Sequence, residues 1–480
     1  MNALDLLCGA SATPRRFARG LLVALGTLPA APALVAAQEP AAPEAMLAIV
    51  GGYLIDGNDG PPVRDAVVLV RGDRIVRVGT VADTPVPAEA ERIDADGYTV
   101  LPGLWDTHVH TMIVGHGIYD AYFPKYEARF REIMPISARE LLLAGVTSAR
   151  DLGAPLDDIL WLKREIAAGR IPGPRLFVSG PFLQKSLPSA RGTSYDSSIQ
   201  DSFRWTVDGP DDARAKTRRL IEAGVDVIKV IQLGQLSREE REAIAEEARR
   251  AGKPIAVHAG SHEELLAAAE MGVASVEHVG ARPLPLYPEE SVRLMAENRI
   301  RASITSVVHR IYDITEAFPE RLDAPRLKRD LPPDLYADVR SSLESPGRLN
   351  YFAGAKSHNR YHEAKIRQLY DGGVQIVVGT DSGTPMNFHY ESTWQEMDLL
   401  SRAGIPPLEV IGMATRHAAL LDRVGADLGT IEPGKLADIL IVHGNPLRHM
   451  SALRNVVHVI KGGRVMVRDG ALVAAEETSQ

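Results

Sequence analysis

His108, Val109 and His110 set two imidazoles two residues apart. Side chains alternate along a β-strand, so both histidines face one side. Two neutral imidazoles at one point can grip a divalent ion, although an isolated His-x-His pair reads equally well as two incidental polar residues. Lys229, His258, His278 and Asp381 each close a short apolar run, at 224–228, 255–257, 274–277 and 377–380. Singly, each is a local structural residue. Together they carry more, because the C-terminal strand ends of a closed parallel barrel converge on one spot. Imidazoles and a carboxylate there suit zinc or a similar divalent ion. Lys229 has several readings: a surface charge, a binder of substrate anion, or a desolvated amine. A desolvated lysine has a lowered pKa and is nucleophilic. It can take up carbon dioxide and become a carbamate, an acidic ligand able to bridge two metals.

Positioning these residues falls to the segment 101–425. Predicted strands at 146–149, 175–178, 225–230, 254–257, 274–276, 300–304 and 374–378 alternate with polar stretches of helical period, clearest at 238–251 and 263–271. Ser237 followed by Glu240 is a capping-box signature. This rhythm predicts an α/β fold, a parallel sheet closed as a (β/α)8 TIM barrel. An open doubly wound sheet is the alternative, and no Gly-rich phosphate loop follows the first strand to support it. On either side, at 46–100 and 426–475, short β-branched runs separated by turn residues predict antiparallel strands. We expect both ends of the mature chain to form one small β-sandwich domain, with the barrel inserted between its halves. The charged segment 309–365, with Pro319, Pro325, Pro332, Pro333 and Pro346, breaks the rhythm. It is too long for an ordinary loop and reads as a lid, an oligomer contact or a solvated insertion. We expect a homo-oligomer.

The motifs in combination resemble the amidohydrolase superfamily, in the branch that holds imidazolonepropionase-related proteins, Xaa-Pro dipeptidases and ochratoxinase-like amidases. PGLWDTHVH (102–110), GVTSARDLG (145–153), GPRLFVSG (173–180), GVDVIKV (224–230), PIAVHA (254–259), ASVEHVG (274–280) and VVGTDSG (377–383) are similar to its strand-end motifs. LGTIEPGKLADILIV (428–442) is similar to its closing β-domain, so the likeness covers nearly the whole mature chain. It implies that His108 and His110 bind the more buried of two divalent metals, that Lys229 as N6-carboxylysine bridges both, and that His258 and His278 bind the second. Asp381 would contact the buried metal and act as general base. Two ions about 3.5–4 Å apart can hold a shared hydroxide, which suits cleavage of an amide bond in a dipeptide or N-acyl amino acid. A cyclic amide, lactone or carbamate, a deaminase reaction, or a non-catalytic metal-binding barrel are the alternatives. His116 and His309 are candidate contacts to the carbonyl or leaving group, or loop histidines without a role. Lys185, Arg191 and Arg310 are candidate partners for a substrate carboxylate. Pro-Phe-Leu-Gln-Lys follows Gly180 where related dipeptidases often show Gly-Gly-His.

The remaining composition narrows the class. Lys and Arg number 54 against 62 Asp and Glu, a net charge of −8, and aromatic residues make up 5%. Nucleic acid is therefore not the expected partner, since phosphates call for a basic face; a small molecule is. The one cysteine, Cys8, precludes a disulfide framework. Arg15, Arg16 and Arg19 precede an apolar stretch at 20–37 that ends Val35-Ala36-Ala37. We expect a signal peptide at 1–37, a Pro/Ala/Glu-rich linker at 38–45 and a periplasmic or secreted protein. The arginine pair hints at twin-arginine export, but Phe17 follows too closely for the usual spacing. Pro29 and Pro32 and the shortness of the stretch argue against a stable membrane anchor.

Overall fold

A computed structural model of the chain describes residues 45–185, 202–280, 286–349, 352 and 361–474. The expected signal peptide, nearly all of the linker, and Arg191 lie outside them. Among the described residues, no helix is long and apolar enough to cross a membrane.

Eight short parallel strands hold the centre: Leu104–Val109, Val146–Asp151, Arg175–Val178, Ile228–Val230, Ile255–His258, Ser275–Glu277, Arg301–Ser303 and Ile376–Val377. The first three pair in sequence, as do the last five. Asp226 N donates to Val178 O at 2.8 Å and joins the two groups. Thr107 N then donates to Val378 O, and Val109 bridges Ser382, so the succession returns to its first strand. Helices follow most strands. Arg238–Arg250 and His262–Met271 both open with a complete capping box, Ser237 with Glu240 and Ser261 with Glu264. Each box satisfies two backbone donors that the first turn leaves open.

Three features differ from the sequence expectation. Phe182–Gln184 and Arg204–Thr206 form two extra strands, paired in parallel with Phe182 beside Arg204. At three residues each they carry no readable period. The segment after Val308 is largely helical: Ser306–Ala317, Pro319–Asp323, Pro325–Asp330, Pro333–Ser342 and His362–Asp371. Pro319, Pro325 and Pro333 open their elements, where proline's missing N–H costs nothing. Read along the sequence, those prolines look like breakers. The terminal strands, finally, are not all antiparallel. Met46–Val50 pairs in parallel with Glu91–Asp94, and Tyr53–Leu54 with Tyr98–Pro102, each across a connection too long for a hairpin.

The chain ends build two sheets. Seven strands run in the order Ala471–Leu472, Arg464–Arg468, Val456–Lys461, Ile439–His443, Tyr98–Pro102, Tyr53–Leu54, Val63–Arg64. Four run Arg74–Thr80, Ala66–Arg71, Met46–Val50, Glu91–Asp94. One buried cluster draws Ile49, Val68 and Val70 from the smaller sheet and Val100, Ile439, Ile441 and Ile460 from the larger. Tyr98–Pro102 passes through Gly103 directly into Leu104–Val109, which leads to His108 and His110. The terminal sheet thus anchors the first strand of the site.

Gly379 shows how tightly the central strands meet. A Cβ there would lie 2.3 Å from Ser303 Oγ, 2.8 Å from Thr107 Oγ1 and 3.0 Å from His108 Cβ. Overpacking of this kind costs roughly 1–3 kcal/mol. Gly379→Ala is expected to lower the unfolding temperature by several degrees, whereas Gly60→Ala, with nothing within 4 Å of its added Cβ, leaves it in place. Equal melting of both variants in calorimetry would contradict this packing.

Candidate metal centre

The strand ends bring His108, His110, Lys229, His258, His278 and Asp381 to the wall of one cavity of about 360 Å³. That volume lies within the range of small-molecule sites. His108, His278 and Asp381 each offer a ligand atom, and these atoms lie within 4.8 Å of one another. His110 Nε2 is 3.1 Å and His108 Nε2 is 3.5 Å from Asp381 Oδ1. The His258 ring, at the exposed end of its strand, lies 4.3 Å from that of His278, centroid to centroid.

The outward nitrogen of three rings is already committed. His108 Nδ1 meets Glu277 Oε2 at 2.9 Å, and His110 Nδ1 meets Gly153 O at 3.1 Å. His278 Nδ1 is 2.9 Å from Thr305 Oγ1, whose own proton goes to Ile304 O. Each Nδ1 is therefore the donor, and each Nε2 turns a lone pair inward. Burial holds the His108 and His278 pKa values well below the usual histidine value, with neighbouring positive groups adding to the effect. His110 differs: burial opposes protonation, but Asp381 and Asp151 outweigh it and raise its pKa. Inward lone pairs beside a carboxylate oxygen are compatible only with a shared proton or a cation among them. Neutral imidazoles and a carboxylate in that arrangement fit a divalent ion.

Lys229 is 2% exposed, and its Nζ has no hydrogen-bond partner among the described residues. Burial brings its pKa down to about 8, against the opposing pull of Glu277 and Asp381. His278 and Asp381 sit at φ of 63° and 58°, a region that costs an L-residue roughly 1–2 kcal/mol. His278 N donates to Ser303 O and Asp381 N to His108 O, while Asp381 O accepts from Asn387 Nδ2 and Thr384 Oγ1.

Of the residues expected to contact substrate, His309 lines the cavity and packs its ring edgewise on His362. His116 does not line it. That ring is buried, accepts from Ile118 N and faces Asp338 Oδ2 at 3.5 Å. Lys185 pairs with Glu240 and donates to Val207 O. Arg310 pairs with Asp313 and Glu363. Three important residues escaped the sequence reading. Glu277 and Arg150 are fully buried, and Arg150 Nη2 donates to Glu277 Oε1 at 2.7 Å. Charged residues inside short apolar strands were their signal. Arg204, on the short extra strand, also lines the cavity.

Known proteins resemble the chain over most of its length. The chain is 28% identical to ochratoxinase from Aspergillus niger, over 89% of its own length and 88% of that protein's. It is 23% identical to a 5'-deoxyadenosine deaminase from Methanothermobacter thermautotrophicus, covering 87% of this chain and 94% of the relative. Among solved structures, a Xaa-Pro dipeptidase with methionine bound in its active site superposes with a TM-score of 0.71 at 26% identity, over 88% of this chain and 99% of the other. The profile of the Amidohydrolase family matches residues 99–466, and the chain belongs to that family of hydrolases acting on carbon–nitrogen bonds.

Proposed function

We propose that this protein is a binuclear metal-dependent amidohydrolase that cleaves the amide bond of a dipeptide or N-acyl amino acid. The observation that carries the reading is a buried Lys229 amine, without a hydrogen-bond partner among the described residues, in one cavity with His108, His110, His258, His278 and Asp381. In this reading the eight parallel strands are a (β/α)8 barrel spanning 101–425. The two terminal sheets are the β-sandwich domain of 46–100 and 426–475, and the insertion 309–365 is read as a lid.

His108, His110 and Asp381 would hold one divalent ion and His258 and His278 a second, with Lys229, carboxylated on Nζ, as a ligand shared by the two. When bound, two divalent ions, taken as zinc, lower the pKa of water towards neutrality and polarise a carbonyl. Asp381 accepts a proton from the attacking water and returns it to the nitrogen of the leaving amine as the carbon–nitrogen bond breaks. Its left-handed backbone, tied to His108, Asn387 and Thr384, aims the carboxylate at the paired imidazoles. His309, on the cavity wall, is placed to meet the carbonyl or the leaving group. Similarity to an ochratoxinase and a Xaa-Pro dipeptidase supports an amide substrate.

Purified protein loaded with metal is expected to release amine from some members of a panel of N-acyl amino acids and dipeptides; an inert panel would overturn the substrate class. His108→Ala and His278→Ala are expected to lose metal and activity together, and full occupancy of both variants by elemental analysis would sink the ligand assignment. Lys229→Ala should bind less metal, with a short carboxylate such as propionate restoring part of the activity. Burial lowers the pKa of the amine to about 8 and only its neutral form attacks carbon dioxide, so at a fixed concentration of dissolved carbon dioxide metal uptake by the apo-protein should be faster at pH 9 than at pH 7. Two bound metals and an unchanged kcat in Lys229→Ala would end the carbamate assignment.

A further inference from the structure

A second cavity, of about 510 Å³, lies at the far end of the helix that opens beside the metal centre. Val308 and His309, in the first turn of Ser306–Ala317, line the catalytic cavity. Ile314, in the last turn, and Phe318, just past it, line the second. The two cavities share no lining residue. The second is the larger, and its volume is in the range of small-molecule sites. Phe318 is 59% exposed, more than any other large apolar side chain described. Trp394, Leu399 and Met450 extend the apolar wall. A single exposed apolar residue is ordinary, but one set on a concave apolar wall marks a place for a ligand. Charge on this wall is uneven. Arg321 pairs with Glu391, and Arg402 with Asp398 at 2.7 Å. Arg448 and Arg454 pair with no acid among the described residues, and Glu320 is the one lining acid left against them. Gln395, also on the wall, is 7% exposed, and its Oε1 has no hydrogen-bond partner among the described residues.

We propose that this cavity is a second binding site, separate from the metal centre, for an organic anion that joins a carboxylate to an apolar ring. The ring lies against Phe318 and Trp394. The carboxylate meets Arg448 and Arg454, because a guanidinium fork matches two carboxylate oxygens. An inorganic anion would leave the apolar wall wet, and a hydrocarbon would leave both guanidinium groups unmet. The site stands whether or not the metal centre hydrolyses amides.

Titration calorimetry of the metal-loaded protein with biphenylacetate, set against its neutral analogue biphenylethanol, tests this. The wild type should bind the acid more tightly than the alcohol by about three- to ten-fold, the worth of exposed charge contacts. Arg448→Gln combined with Arg454→Gln should weaken the acid by about that factor and bring it level with the alcohol. Phe318→Ser should weaken both ligands. Arg71→Gln combined with Arg92→Gln removes the same charge from the small terminal sheet and should change neither. All five positions are exposed, so the variants are expected to fold, and equal melting temperatures would verify it. Since a carboxylate can also reach the metals, the variants carry the decision. Binding that neither Phe318→Ser nor the Arg448 and Arg454 pair weakens belongs to the metal centre and overturns the proposal, as does equal affinity of the wild type for acid and alcohol. A second copy of the chain seated on this wall would show as a lower mass of Phe318→Ser in light scattering, with no binding of biphenylacetate here, and that result too would overturn it.

Discussion

A carboxylate taken wholly out of water sets the terms for this site. Glu277 is fully buried and accepts from Ser275 Oγ at 2.6 Å, Arg150 Nη2 at 2.7 Å and His108 Nδ1 at 2.9 Å. Arg150 passes its Nε to Thr107 O, so the first, second and sixth parallel strands are locked together around one charge. Removing one partner from such a group costs about 3–5 kcal/mol, because the other charge is left uncompensated. The lock also has a chemical effect. By accepting a hydrogen bond from His108 Nδ1 it leaves that ring's Nε2 lone pair facing the cavity.

Asp106 does comparable work between the first and last strands. It accepts from His108 N, Thr380 N, Thr380 Oγ1 and Thr393 Oγ1. Burial nevertheless outweighs these bonds and raises its pKa to about 7. The left-handed backbone of His278 and Asp381 is unfavourable locally, and it persists because the surrounding hydrogen bonds over-determine it. Rigidity below the cavity thus holds strain at its rim.

The parts legible in the sequence share a physical cause. His108, His110, Lys229, His258, His278 and Asp381 terminate apolar runs, and strand ends of a closed parallel succession must meet, so their common cavity follows from local pattern alone. Ser237 with Glu240 is equally local, and the expected helix begins there. What escaped depends on contacts far apart in sequence. His116 is engaged by Asp338, more than two hundred residues away, which no spacing could show. Glu277 and Arg150 lay inside motifs, yet their pairing needs two strands brought together. Arg204 sits on a three-residue strand whose only distinguishing feature is its neighbour Phe182. The prolines after Val308 mark helix starts, and only the helices they open reveal that.

The charge balance of the cavity links these observations. An ammonium on Lys229 would bring a second cation towards Arg150 and the inward-facing imidazoles, with no hydrogen-bond partner of its own among the described residues. The low-dielectric interior penalises that charge, which is why the amine titrates near 8. A neutral amine is tolerated but leaves Asp381 as the only anion among the described residues that line the cavity, too little charge for two dications. On the proposed reading, a carbamate would reverse the sign at the same position, and it would be favourable only while cations are there to meet it. Metal loading and carboxylation would then stabilise each other, each lowering the electrostatic cost of the other.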